Sequence, residues 1–195
     1  MMRKNDALYR MIVTAVLLAL GLILPFLTGQ LQAFGKLLSP LHIPVLICGM
    51  TCGWAWGGVL GAVLPVLRMA LFGMPAAPMA YPMVFELCAY GVVTGIVYPW
   101  LRRALCERLG ANRIVVMLAS LGIAMVAGRI VGGVAKALLL MGGAIPGVPL
   151  TFAAFVTSYF VDTAVGAVVH LIVVPAVVLA LEKARLSPVG RTLGA

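Results

Sequence analysis

The sequence predicts an all-α integral membrane protein: a single bundle of six transmembrane helices with both termini in the cytoplasm. Three observations lead to this fold class. Hydrophobic residues make up 64% of the 195 and charged residues only 10%, with a mean hydropathy of +1.16. The apolar residues fall into long runs, and most basic residues lie between or beyond them. A soluble domain of this size needs more charge, so lipid is the expected solvent for most of the surface.

The length of the chain suits one membrane domain, 1–195. A transmembrane helix takes about 20 residues to cross a hydrocarbon core of about 30 Å, so six spans fill the sequence. The first apolar run is interpreted as a helix rather than a signal peptide, because no small-x-small cleavage site follows it. The apolar runs occupy about 11–28, 37–74, 79–101, 113–141 and 150–181.

The distribution of basic residues sets the number of helices. Ten of the 14 lysines and arginines form three clusters: Arg3, Lys4 and Arg10; Arg102, Arg103, Arg108 and Arg113; Lys183, Arg185 and Arg191. The positive-inside rule places all three clusters in the cytoplasm, and an even number of spans must separate them. The 37–74 run is therefore predicted to be a hairpin of two helices. The predicted helices are about 11–28, 38–53, 56–73, 80–101, 113–141 and 151–181.

Five charged residues lie inside the predicted helices: Arg68, Glu86, Arg129, Lys136 and Asp162. Each would cost about 2.5–3.5 kcal/mol if it faced lipid at the bilayer centre. At 1.5 Å per residue, Arg129 lies about 24 Å and Lys136 about 35 Å from cytoplasmic Arg113. With His42 near the outer surface, these groups are predicted to converge in the outer half of the bundle.

Two interpretations of these charges stay open. One is a polar pocket for a small solute, covered by the uncharged Pro/Gly-rich outer loops 73–82 and 142–149. The other is a set of structural ion pairs, such as Glu86 with Arg129 or Asp162 with Arg68, beneath short chain reversals. His170 is assigned a packing or interfacial role near the inner end of the last helix.

Small residues at four-residue spacing predict close helix contacts. The glycines at 49, 53, 57 and 61, and those at 91 and 95, are expected to serve internal packing. Ala15 and Ala19 lie in the cytoplasmic half of the first helix and are candidates for contact with another protein.

Signatures of other function classes are missing from the sequence. It has no HExxH, Walker A or GxSxG motif, and its four cysteines form no CxxC pair. With two histidines, a metal cluster is not expected. Basic stretches interleaved with aromatic residues are absent, so nucleic acid is not an expected partner. The chain is predicted not to be an enzyme.

An ordered set of short motifs runs from about residue 7 to residue 185. They are Leu38–Gly49 (LSPLHIPVLICG), Pro65–Arg68 (PVLR), Phe72–Pro75 (FGMP), Phe85–Gly91 (FELCAYG) and Gly128–Val131 (GRIV), with the Ala15-x-x-x-Ala19 pair. This set resembles the substrate-binding S components of energy-coupling factor (ECF) vitamin transporters. The resemblance implies a multi-pass subunit of a prokaryotic plasma membrane that captures one vitamin on its outer face. It also implies docking through the helix 1 alanine face onto a transmembrane coupling protein with two cytoplasmic ATPases. The chain itself would need no cofactor, because only its partners use ATP.

The resemblance is closest to S components for pantothenate, or for hydroxymethylpyrimidine or pyridoxine-like compounds. Three positive against two negative buried charges favour an anion such as pantothenate. Arg129 and Lys136 would hold its carboxylate, with Glu86, Tyr90 and His42 available for hydroxyl and amide groups. The candidate ligand-binding residues are His42, Arg68, Glu86, Tyr90, Arg129, Lys136 and Asp162.

Two alternatives belong to other classes. A six-helix membrane scaffold of the cell-shape assembly type would need the helix faces but not the outer charges. A stand-alone secondary transporter would show internal repeats and discontinuous helices at mid-membrane, and no such repeat is present in the sequence.

Overall fold

The computed structural model describes residues 4–27, 39–145, 151–161, 163–184 and 186–188, and these residues are helical with short connections and no strand. The helices are α1 (Lys4–Leu27), α2 (His42–Cys52), α3 (Trp54–Phe72), α4 (Ala77–Leu101), α5 (Arg113–Met141), α6 (Phe152–Val156) and α7 (Ala164–Lys183). A π-helical segment, Arg102–Glu107, continues α4, and a π-helical turn, Thr157–Val161, follows α6.

Five segments are long and apolar enough to cross a membrane: Asp6–Phe26, Trp54–Phe72, Pro78–Cys106, Arg113–Met141 and Phe152–Lys183. The eleven-residue α2 is apolar but shorter. At 1.5 Å per residue it spans about 17 Å, roughly half of a hydrocarbon core. The all-helical membrane architecture is thus confirmed, and six complete crossings stay a prediction.

The 37–74 run is divided into α2 and α3 at a single residue, Gly53. Its φ of 95° and ψ of 174° belong to a region of backbone space that is essentially restricted to glycine. The Arg10 guanidinium donates a hydrogen bond of 2.7 Å to the carbonyl of Cys52, the last residue of α2. Carbonyls at a helix C-terminus lack intrahelical partners and carry the negative end of the helix dipole, so this arginine stabilises the junction.

Glycines allow α4 to pack closely against α2 and α3. A Cβ placed on Gly49 or on Gly57 would lie 2.7 Å from the Gly91 carbonyl oxygen, and one on Gly61 would overlap the Leu87 carbonyl. Backbone-to-backbone approach of this kind is a main source of helix association in lipid. Gly49, Gly57, Gly61 and Gly91 therefore serve packing within the bundle.

At one end of the bundle, called the basic end below, the basic residues Arg102 and Arg113 lie around buried Glu182. Glu182 accepts hydrogen bonds from Tyr98 (3.1 Å), Arg102 (3.3 Å) and Arg113. The Tyr9 hydroxyl donates to the Leu186 carbonyl at 3.0 Å, so the start of α1 and the end of α7 lie at this same end. That the basic end faces the cytoplasm remains a prediction of the positive-inside rule.

Candidate functional site

Four polar or aromatic side chains from three helices meet away from the basic end. His42 at the start of α2 is 93% buried, and its Nε2 lies 3.6 Å from Oε1 of Glu86 on α4. The Tyr90 hydroxyl, one turn further along α4, donates to the same carboxylate oxygen at 3.1 Å. The His42 ring makes an edge contact with Tyr90 (centroids 4.9 Å apart) and stacks on His170 of α7 (5.5 Å, 24°). These four residues are called the histidine–glutamate cluster.

The carbonyl oxygen of Ser39 joins two members of this cluster. It lies 3.0 Å from Nδ1 of His42 and 3.3 Å from Nε2 of His170, and it also accepts from the His42 backbone amide at 3.1 Å. A carbonyl oxygen can only accept hydrogen bonds, so both of these ring nitrogens must carry a proton. Ser39 holds this position with a left-handed φ of 43°.

Two glycines of α5 make room for the acid and the tyrosine. A Cβ on Gly128 would lie 2.5 Å from Cε1 of Tyr90, and one on Gly132 would lie 2.8 Å from Cβ of Glu86. Both pairs are four residues apart, so one turn of α4 faces one turn of α5 in matched register. Side chains at these two α5 positions would displace both groups of α4.

Arg129 occupies α5 between these glycines and is 91% buried. Its guanidinium lies over the Phe160 ring, 5.1 Å from the centroid, and within electrostatic range of the Tyr90 hydroxyl. Among the described residues no carboxylate lies within 4 Å of it. Arg129 is therefore a buried cation that forms no ion pair with a carboxylate of the described residues.

The turn that carries Phe160 is aromatic and π-helical. Phe155 contacts both Tyr159 (5.2 Å) and Phe160 (5.9 Å), and Gly133 of α5 leaves the space into which the Phe155 ring fits. Interruptions of this type concentrate at functional sites, because they re-aim side chains that a regular helix would place elsewhere.

Lys136 is half-buried on α5, seven residues beyond Arg129 and so close to the same face. Asp162, the remaining predicted site residue, lies outside the described residues, as do residues 146–149 of the second Pro/Gly-rich loop.

Arg68 has a different environment from the other predicted site residues. It is 96% buried on α3, and its guanidinium donates to the Leu22 carbonyl of α1 at 2.8 Å. The Phe26 and Phe72 rings lie 5.2 and 5.7 Å from it. Pro25 has no amide hydrogen, so it removes a backbone hydrogen bond from the last turns of α1. A cation near this C-terminal end also complements the helix dipole. The described contacts of Arg68 thus hold α1 against α3.

Two sequence-based expectations need correction. Within the described residues, the Glu86 carboxylate contacts His42 and Tyr90 and forms no ion pair with Arg129. His170 does not lie near the inner end of its helix, because its ring stacks on His42. The error came from treating 151–181 as one straight helix, which puts residue 170 about 28 Å from its start. In the structure α7 begins at Ala164, only six residues before His170.

Ala15 and Ala19 lie on the exposed side of α1, while Leu17 and Gly21 face the bundle. The same exposed face carries Leu8, Met11, Ile12, Val16, Leu20 and Ile23. It is an apolar surface with small residues at its centre, open to lipid or to a protein partner.

Comparison with known families places these features. Searches of curated proteins and of solved structures gave no match. A family model, the substrate-specific component of ECF transporters, matches residues 9–178. This range includes the histidine–glutamate cluster, Arg129 and the exposed α1 face, and it covers most of the chain. The chain therefore belongs to the family of substrate-specific components of ECF transporters.

Proposed function

We propose that this chain captures a small anionic vitamin or vitamin precursor, with pantothenate as the first candidate. It would take up the solute on the outer face of a prokaryotic plasma membrane. Delivery inward would require a transmembrane coupling protein and two ATPase subunits. Membership of the family supports the role in solute capture, and the buried charges support the class of solute.

The observation that carries the anion assignment is the state of Arg129. Glu86 already has His42 and Tyr90 as partners, whereas no described carboxylate pairs with Arg129. Burying a cation without a counter-charge is costly, so a bound anion would stabilise this position. The Phe160 ring lies over the guanidinium, and such packing holds the planar fork in an orientation that suits a carboxylate. Lys136, further along α5, supplies a second positive charge.

The depth of the site supports capture from outside. Glu86 lies 16 residues before Arg102 on α4, and Arg129 lies 16 residues after Arg113 on α5. Each separation corresponds to about 24 Å of helix, most of a hydrocarbon core of about 30 Å. With the basic end in the cytoplasm, the site is nearer to the outer surface.

The test is calorimetric titration of the purified protein in detergent with pantothenate, pyridoxine, hydroxymethylpyrimidine, thiamine, riboflavin, biotin and folate. We expect submicromolar binding of pantothenate. Panthenol, in which an alcohol replaces the carboxylate, is the matched neutral control. Because charge-assisted hydrogen bonds contribute about 1.5–3 kcal/mol, panthenol should bind about 10- to 150-fold more weakly.

Each other result has a defined meaning. Equal binding of panthenol and pantothenate, or tight binding of a cation such as thiamine alone, would refute the anion assignment. Absence of binding to the whole panel, by protein with a cooperative thermal transition, would favour the membrane scaffold.

A further inference from the structure

We propose that Phe155 is a positioning residue for solute selectivity. Its ring, seated against Gly133 of α5, holds the Phe160 ring over Arg129, and the Phe160 ring in turn orients the guanidinium for a carboxylate. The anchoring concerns the ligand-free protein and stands on its own geometry. The effect on selectivity rests on the proposed function, because it requires that Arg129 meets the carboxylate of the solute.

The segment that carries both rings has little hold on the bundle through burial. It comprises α6 and the π-helical turn that follows, Phe152–Val161, and is called the aromatic segment below. None of its residues is buried, and Phe152 at its start is 81% exposed. Ordering such a segment costs conformational entropy that burial does not offset here, so its position depends on a few specific contacts.

Gly133 provides one such contact. A Cβ at position 133 would lie 2.6 Å from Cδ2 of Phe155 and would overlap Cε2, so the edge of the ring occupies the space of a side chain. The glycine therefore lets the ring pack directly on the backbone of α5. An alanine would push the ring and its segment away, because the same stretch of α5 is already packed closely against α4.

The π-helical turn brings Phe160 to the same helix. In a regular α-helix, residues five apart point about 140° away from each other, so Phe155 and Phe160 would face different ways. The wider π turn, with i→i+5 hydrogen bonds, reduces this angle. The two rings make an edge contact with centroids 5.9 Å apart, an arrangement that aromatic pairs favour. Gly133 and Arg129, one turn apart on α5, receive one ring each.

The Phe160 ring fixes the direction of the cation. The Arg129 guanidinium lies 5.1 Å from its centroid, and Arg129 is 91% buried with no ion pair to a described carboxylate. A guanidinium packed on a ring has its planar fork held in one orientation, which suits the two oxygens of a carboxylate. Without the ring the cation keeps its charge but loses this orientation. Phe155 thus acts on selectivity through Phe160.

The anchoring is tested in the ligand-free protein by amide hydrogen exchange of residues 157–161. Phe155→Leu withdraws the ring from Gly133, and Gly133→Ala closes the space for it. Both variants should lose protection at residues 157–161, because the segment is then no longer fixed to α5. Residues 114–128 of α5 should exchange as in the wild type.

Two control variants match these changes. Phe152→Leu removes an exposed ring from the same segment, and Gly122→Ala adds a methyl group to α5 where no atom lies within 4 Å. Both should exchange as the wild type. Wild-type protection in Phe155→Leu would overturn the anchoring, and this variant should fold because it alters a segment without buried residues. Faster exchange throughout α5 would also overturn it, because the change would then be global.

Selectivity is tested by calorimetry with pantothenate and panthenol. The ratio of the two affinities, expected to be about 10 to 150 in the wild type, reports the contact with the carboxylate. Phe160→Leu and Phe155→Leu should each lower this ratio at least about threefold, or about 0.7 kcal/mol, and Phe152→Leu should leave it unchanged. Because Phe155 and Gly133 share one contact, the double variant Gly133→Ala/Phe155→Leu should lose no more than the larger single loss.

The outcomes separate this inference from the proposed function. An unchanged ratio in Phe155→Leu, with tight pantothenate binding by the wild type, would overturn the positioning role and leave anion capture intact. Equal losses of affinity for both compounds would overturn it too, because a general distortion does not distinguish a carboxylate from an alcohol. Wild-type protein that binds both compounds equally, or neither, would refute the proposed function and the role in selectivity, while hydrogen exchange would still decide the anchoring.

Discussion

The side chain of Glu86 on α4 lies directly against the backbone of Gly132 on α5. A Cβ at position 132 would be 2.8 Å from Cβ of Glu86 and 3.1 Å from its Oε2. Both distances are well inside van der Waals contact. The position of the carboxylate, and with it the contact to His42, therefore depends on the absence of a side chain on the neighbouring helix.

Gly132→Ala should disturb the site through this contact. Overpacking in a tight interface typically costs about 1–3 kcal/mol, so we expect a lower thermal transition and pantothenate affinity reduced about tenfold or more. Gly122→Ala is the matched control, because a Cβ at position 122 on the same helix meets no atom within 4 Å. If the two variants behaved alike in calorimetry and thermal unfolding, the contact between Glu86 and Gly132 would not contribute to solute binding or to stability.

Arg129→Ala should abolish detectable pantothenate binding, because the variant lacks the buried guanidinium proposed to meet the carboxylate. Arg129→Lys should retain weak binding, since an ammonium keeps the charge but not the planar fork. Isothermal calorimetry measures both, with exposed Arg103→Ala as the control for a general loss of positive charge. Wild-type affinity in folded Arg129→Ala would remove Arg129 from the site.

Glu182→Gln should destabilise the basic end without changing solute affinity. The amide preserves the shape but removes the charge that buried Arg102 and half-exposed Arg113 share. Removing one partner of a buried ion pair costs about 3–5 kcal/mol, and the exposure of Arg113 places the effect near the lower end. In detergent, the thermal transition temperature of Glu182→Gln should be lower than that of Tyr98→Phe, because the latter loses only one hydrogen bond. Exposed Lys183→Gln should unfold at the wild-type temperature. The reverse order would contradict the described contacts.

Arg68→Met separates a structural role from ligand binding. Methionine keeps much of the buried stem but cannot donate to the Leu22 carbonyl. We expect a loss of stability of about 1.5–3 kcal/mol, the range for hydrogen bonds of charged groups, and faster amide exchange at residues 22–27. Pantothenate affinity should stay within about threefold of the wild type, since ΔG would then change by less than about 0.7 kcal/mol. Lost affinity with unchanged stability would return Arg68 to the binding site.

Ala15→Leu and Ala19→Leu test the exposed face of α1. Both positions face away from the bundle, so solute binding and thermal stability should be unchanged. Bulk at these positions would prevent close approach of a partner helix, and co-purification of the coupling protein with its ATPases should fall. Ala119→Leu, an exposed position on α5 at similar distance from its basic flank, is the control. Equal recovery of the complex from all three variants would exclude this face as the docking surface.

Much of the fold could be predicted because lipid imposes simple rules. Backbone groups in a bilayer must be satisfied within the segment that spans it, so long apolar runs become helices. The helical character of the described chain and the break in the 37–74 run follow from this constraint and from the distribution of arginines. The site is only partly predictable in the same way. Glu86 and Tyr90 are one turn apart, so their proximity is local.

Other features depended on tertiary contacts. Arg68 was assigned to the ligand because it is a charge in an apolar helix, but such a charge can equally meet a backbone carbonyl of a neighbouring helix, here Leu22. His170 was missed because residues 151–181 were treated as one straight helix, whereas α7 begins at Ala164.

The sequence by itself determined that the chain is a helical membrane protein, its family and the candidate charged residues, because hydropathy and charge act locally along the chain. Only the tertiary structure decided which charges meet. The rings of His42 and His170 belong to residues 128 positions apart and converge on the Ser39 carbonyl. Glu86 fits against α5 because position 132 is a glycine. Such pairings depend on the crossing and register of helices, which are set by packing between distant segments.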